Sequence, residues 1–149
     1  MQVSASTGDS FELTLLSYQF PTSTDTEYDG NWLVIKTVAA IKGQRWTHTD
    51  PSLLTWEIKE IAEWLRDLAQ GIATKTRLDF IESNIAFEML DKSDITRIKI
   101  SLDLESRPPW IERIYSEEAA EGPIVECSKE QLLTWSDDLF EQLRKFPQR

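Results

Sequence analysis

One histidine and one cysteine in 149 residues leave few places for the commoner side-chain chemistries. A serine or cysteine nucleophile needs a base within hydrogen-bond reach. Only His48 offers an imidazole, in the run Trp46-Thr47-His48-Thr49-Asp50, where Asp50 could orient the ring. A cap-region imidazole with a structural hydrogen bond is the plainer reading, and a small hydrolase using His48 is kept as an alternative. Zinc would have to be held by His48 and Cys127 with heavy use of carboxylates. The segment Asp25-Thr26-Glu27-Tyr28-Asp29-Gly30 offers acidic oxygens before a glycine, as a calcium loop does. It lacks the bidentate glutamate that closes such loops and no helices flank it. The chain's five glycines form neither a Walker pattern nor a dinucleotide fingerprint. Acids abound, but abundance does not place two carboxylates across a glycosidic bond. The residues therefore predict no catalytic group, no metal and no cofactor, and they point to a binding protein.

Charge says what kind of partner. With 26 acidic and 16 basic residues the formal net charge is −10, which repels phosphate backbones and anionic lipid headgroups and attracts a basic protein. The bias is strongest in residues 116–141, where Glu117, Glu118, Glu121, Glu126, Glu130, Asp137, Asp138 and Glu141 face the single base Lys129. Glu130 also suits a helix N-terminus. The candidate partner-binding acids are Asp25, Glu27 and Asp29 in one loop and Glu117, Glu118, Glu121, Asp137, Asp138 and Glu141 near the C-terminus. The plain alternative is a solvated acidic face. Trp110, after the rigid Arg107-Pro108-Pro109, joins them as an aromatic anchor of the type enriched at interfaces, although packing accounts for it as well. The lone Cys127 cannot form an internal disulfide, and the N-terminus shows no signal-peptide pattern. The expectation is a cytoplasmic monomer or weak homodimer that touches neither membrane nor nucleic acid directly.

The elements that would carry these residues follow from hydrophobic patterning. Six Trp, six Phe and three Tyr supply a real core, and one domain covers residues 1–149, with 1–10 expected to fray. Phe11 to Phe20 reads as a strand whose apolar phase changes midway, as a bulge would make it. Pro21 to Gly30 is an acidic loop. Asn31 to Ile41, apolar in both phases, predicts a central strand covered on both faces. A short strand, Gln44 to Thr49, follows, and Asp50-Pro51 reads as a helix cap. Leu54, Ile58, Ile61, Leu65 and Leu68 mark the first helix, ending at Gly71. Two alternating runs, Ile85 to Met89 and Ile98 to Leu104, predict a hairpin about the polar loop Asp91-Lys92-Ser93-Asp94, with Lys99, Ser101, Asp103 and Glu105 on its solvated side. Pro123 to Cys127 is a short strand. Ser128 with Gln131 forms a capping box for a second helix with Leu132, Trp135, Leu139, Leu143 and Phe146 inward. Trp56, Trp64 and Trp135 lie beside the helical stripes and read as core or half-core. The sum is α+β: a mostly antiparallel, meandering sheet of about six strands with two packed helices.

Four segments carry a further signal: Leu15-Leu16-Ser17-Tyr18-Gln19-Phe20-Pro21, Tyr28-Asp29-Gly30-Asn31-Trp32-Leu33, Thr49-Asp50-Pro51-Ser52-Leu53-Leu54-Thr55-Trp56-Glu57 and Glu105-Ser106-Arg107-Pro108-Pro109-Trp110. In that order they resemble the WapI family of bacterial immunity proteins over roughly residues 11 to 110. The resemblance implies a cytoplasmic antidote that binds and blocks the C-terminal domain of a contact-dependent polymorphic toxin, often a nuclease acting on tRNA. A basic nuclease surface would be the electrostatic complement of this chain. The shared motifs read as scaffold, so no toxin-contacting residue is carried over from them. A general protein-interaction module without a toxin is the competing reading.

Overall fold

The computed structural model describes residues 2–111 and 121–149. Eight strands and two helices follow in the order β1 (Gln2–Ser4), β2 (Ser10–Tyr18), β3 (Trp32–Ile41), β4 (Gln44–Leu54), α1 (Thr55–Gln70), β5 (Arg77–Asp79), β6 (Ile85–Lys92), β7 (Thr96–Leu102), β8 (Ile124–Cys127) and α2 (Lys129–Leu143). A 3-10 turn, Leu104–Ser106, follows β7. The strands form two four-stranded antiparallel sheets, β1-β2-β3-β4 and β5-β6-β7-β8. The α+β class is as expected; the single six-stranded sheet is not. Two of the strands, β1 and β5, are three residues long, too short for an alternating pattern to register. The expected fraying of residues 1–10 is corrected by β1, which pairs with β2 from Gln2 to Ser4 and buries Val3.

The bulge in the second strand is present: the register slips between Leu15 and Ser17, leaving Leu16 over and exposed. β3 lies between β2 and β4 as a central strand. Its inward phase, Leu33, Ile35, Ala39 and Ile41, is fully buried. On the other face Val38 is buried, but Trp32, Val34 and Ala40 stay half-exposed and Lys36 is exposed, so the expected cover of that face is only partial.

The larger correction is at Asp50-Pro51, which does not cap a helix. β4 runs on through both to Leu54, slipping register opposite Leu33 and Val34, and α1 starts at Thr55. Pro51 is tolerated because β4 is the edge of its sheet, where a missing N–H breaks no ladder on the open side. The helix start is secured from elsewhere. Asn31 accepts the Thr55 N–H through its carbonyl and the Thr55 hydroxyl through Oδ1. Glu57 accepts the Leu54 N–H on Oε2 and the Ile81 N–H on Oε1. α1 closes on Gly71, whose φ of 81° is a left-handed cap.

The hairpin forms as predicted, Ile85 opposite Leu102 and Phe87 opposite Ile100, although its strands extend to Lys92 and restart at Thr96, shortening the loop. Lys99 is half-buried and Ser101 is buried, so only part of the expected polar side is wet. Ser128 caps α2, its Oγ accepting the Gln131 N–H and Gln131 Oε1 accepting the Ser128 N–H. Rings from both sheets and both helices meet in one core: Phe87 lies 6.0 Å from Phe11 and from Trp135, with Trp64 and Phe80 also against it. Burying aromatic rings from every layer at one point joins the two sheets into a single hydrophobic body.

Candidate functional site

The acidic candidates separate once folded. In the loop before β3, Asp25 turns inward, and its carboxylate accepts the backbone N–H groups of Glu27, Asp29 and Gly30. These bonds, chiefly that from Glu27, hold its pKa below the usual carboxylate value. Gly30 is required there, because a Cβ would sit 1.7 Å from the Asp25 carbonyl oxygen. The calcium-like spacing is thus an Asx-type turn, and Glu27 and Asp29 remain as its exposed carboxylates. Among the described residues no group of three or more His, Cys, Asp or Glu is placed to hold a metal ion.

On α2 the acids have partners that the linear sequence hides. Asp137 receives Arg66 of α1 at 3.2 Å, and the same guanidinium lies 4.7 Å over the Phe140 ring. Glu141 pairs with Arg144, Asp138 accepts from Gln142 at 2.9 Å, and Glu121 meets Lys42 at 3.6 Å. Asp137, Asp138 and Glu141 line an open groove between the helices together with Lys59, Arg66 and Arg144. Arg66 and Arg144 thus offset Asp137 and Glu141, while Lys59 pairs with Glu63 of its own helix. Glu117 and Glu118 lie outside the described residues.

A different region gathers polar groups without partners. Trp46, His48 and Asp50 occupy the core-facing phase of β4 opposite Ala39, Thr37 and Ile35. Trp46 stacks on His48 at 6.0 Å and 10°, meets Trp110 edge-on at 6.1 Å, and donates its indole N–H to the carbonyl of Ser106 in the 3-10 turn. Asn84 donates weakly to Asp50 Oδ2 and Ser52 Oγ at 3.5 and 3.4 Å. The main-chain carbonyl of Asn84 accepts the Asp103 N–H, and Arg107 Nη1 lies 3.5 Å from Asp103 Oδ1. Strand, loop and turn thus close a corner at the edge of the first sheet. Among the described residues five buried side-chain polar atoms have no hydrogen-bond partner, and four belong to this corner: Thr37 Oγ1, His48 Nε2, Asn84 Oδ1 and Arg107 Nη1; the fifth is Trp135 Nε1.

His48 faces Thr37 across the ladder without a hydrogen bond, and the carboxylate of Asp50 takes Asn84, not the imidazole. Cys127 is buried, and desolvation pushes its thiol up to about 12, which leaves it a neutral packing group. Trp110 is 38% exposed, and Trp64 and Trp135 are core residues with Trp56 half-buried. Sequence reasoning singled out His48 and, beside Arg107, Trp110, but missed Thr37 and Asn84. Their convergence arises from pairing across β3–β4 and from contacts between residues more than thirty positions apart.

Fold and site define a two-sheet α+β protein whose carboxylates are largely committed to local partners and whose unpartnered polar groups collect at one sheet edge. The profile of the Immunity protein WapI-like family matches residues 2–147, and the chain belongs to that family. No curated protein matches the chain at a significant level. Membership supports an immunity function, binding of a cognate toxin, and a non-enzymatic protein. Among the described residues no helix is long and apolar enough to cross a membrane.

Proposed function

We propose that this protein neutralises the C-terminal domain of a cognate polymorphic toxin by binding it and occluding its active surface. The family match over residues 2–147 carries the reading. The net charge of −10 supports a basic toxin domain, of which a nuclease is the leading case, since a nuclease must itself present positive charge to a phosphate backbone. A nuclease acting on cellular nucleic acid would place the antidote in the cytoplasm, as a monomer or weak homodimer engaging one toxin domain. Coexpression tests this directly. With the C-terminal domain encoded by the adjacent toxin gene, the chain is expected to restore growth and to copurify in a stoichiometric complex. Death of the cells with soluble chain present, and no complex on gel filtration, would refute it. Capture of unrelated proteins with no toxin among them would favour an interaction module instead.

A further inference from the structure

We infer that the corner formed by β4, Asn84 and the 3-10 turn is the docking site for a lysine or arginine side chain of a basic protein partner. The inference deepens the immunity reading and rests on it for the partner's identity, though not for the site's chemistry.

The corner is defined by committed and uncommitted atoms. Thr37 and Asn84 are only 3% and 2% exposed, and a buried polar atom left unpaired costs folding free energy that native proteins normally avoid. Four such atoms gather at this corner, and a partner's group would complete them. The uncommitted set can supply acceptors: Asn84 Oδ1, Thr37 Oγ1 and, with the proton on the other ring nitrogen, His48 Nε2, while among the described residues the carboxylate of Asp50 is contacted by Asn84 at 3.5 Å. Arg107 Nη1 is the lone uncommitted donor, and Asp103 already stands 3.5 Å from it. An acceptor-rich set beside the carboxylate of Asp50 selects a donor-rich cation, an ammonium or guanidinium, whereas the Asp103 carboxylate is already taken by the Leu104 N–H and Arg107. The flank has the composition of an interface centre, with half-exposed tryptophan and arginine on a rigid Pro-Pro turn. By contrast, the acids of the α1/α2 groove already hold partners: Arg66 on Asp137, Arg144 on Glu141 and Gln142 on Asp138.

β4 adds a second element of fit. In the described residues it pairs with β3 alone, so the partner's cation would arrive beside an eleven-residue edge strand able to accept an extended segment.

Two experiments test the site. The first needs no toxin: the chain is titrated with methylguanidinium chloride while the Trp46 indole N–H and the His48 ring are followed by NMR, against sodium chloride at equal ionic strength. A saturable shift at both rings that weakens severalfold in Asp50→Asn is expected; shifts that are linear, or matched by sodium chloride, overturn the proposal. The second uses the adjacent-gene toxin domain. Trp110→Ala, an exposed position chosen to leave the fold intact, should weaken binding at least about thirtyfold, whereas the double reversal Asp137→Lys with Glu141→Lys should change it less than about threefold. The reverse ranking overturns the corner while leaving the immunity reading intact. If the wild-type chain binds no toxin domain, the immunity reading fails, and the methylguanidinium titration alone then decides whether the corner is a cation site.

Discussion

The α1/α2 groove and the β4 corner are both polar, yet they stand in opposite conditions. In the groove the side chains are exposed and matched: Arg66 with Asp137, Arg144 with Glu141, Gln142 with Asp138. Solvent screens such pairs, so they contribute little to stability and present little uncompensated field to a visitor. In the corner the groups are few, mostly buried and unmatched. A low local dielectric makes each unmatched group costly to the free protein and strengthens the bond it makes when a partner arrives. If the corner is the docking site, prior commitment of charges, and not their number, decides where a partner binds.

The largest expected effect lies at Glu57, in the first turn of α1 just beyond β4. It is 4% exposed and accepts backbone N–H groups from Leu54 and Ile81. Glu57→Ala orphans both, and stability by urea unfolding should fall by roughly 2 to 4 kcal/mol, about 1 to 2 per lost acceptor. Desolvation first, against those bonds, raises its pKa above 4.5. The folded state thus binds this proton more tightly than the unfolded chain does. The corresponding stabilisation is complete below pH 4.5 and is lost as pH rises through the folded value. Replacing Glu57 should flatten that part of the stability–pH curve, and an unchanged slope would contradict the assignment.

Thr37→Val has the next largest expected effect. Because its hydroxyl has no partner among the described residues, the isosteric methyl should stabilise the free chain by about 1 kcal/mol in thermal unfolding, while weakening toxin binding. Destabilisation would mean that the hydroxyl is already satisfied. In the groove, Arg66→Ala should cost only about 0.5 kcal/mol, since Asp137 is 74% exposed; a loss above about 2 kcal/mol would show the groove to be more than a screened surface. Smallest of all, Cys127 should react with a thiol reagent only upon unfolding, its thiol being buried and pushed up to about 12; rapid labelling of the native chain would contradict its burial.

What the sequence made legible follows the range of the signals. The bulge near Leu16, the α1 stripe, the hairpin and the Ser128 capping box depend on residues within one element, and the periodicity carries them. Asp50-Pro51 misled because a good cap signal and an edge-strand proline look alike until the neighbouring strand is known, and the true helix start is held by Asn31, distant in the chain. The acids of α2 looked unopposed because Arg66 lies 71 positions away. The corner was the least legible. His48 and, beside Arg107, Trp110 stand out by type, but Thr37 and Asn84 acquire meaning only from cross-strand register and from the turn that closes over β4.

The most direct test of the account is hydrogen exchange on the chain alone and in complex with the toxin domain encoded beside it. Binding should slow exchange at β4 amides 44–50 and around 104–110, leaving 134–144 on the outer face of α2 unchanged. Protection confined to α2, with β4 exchanging as in the free chain, would contradict it.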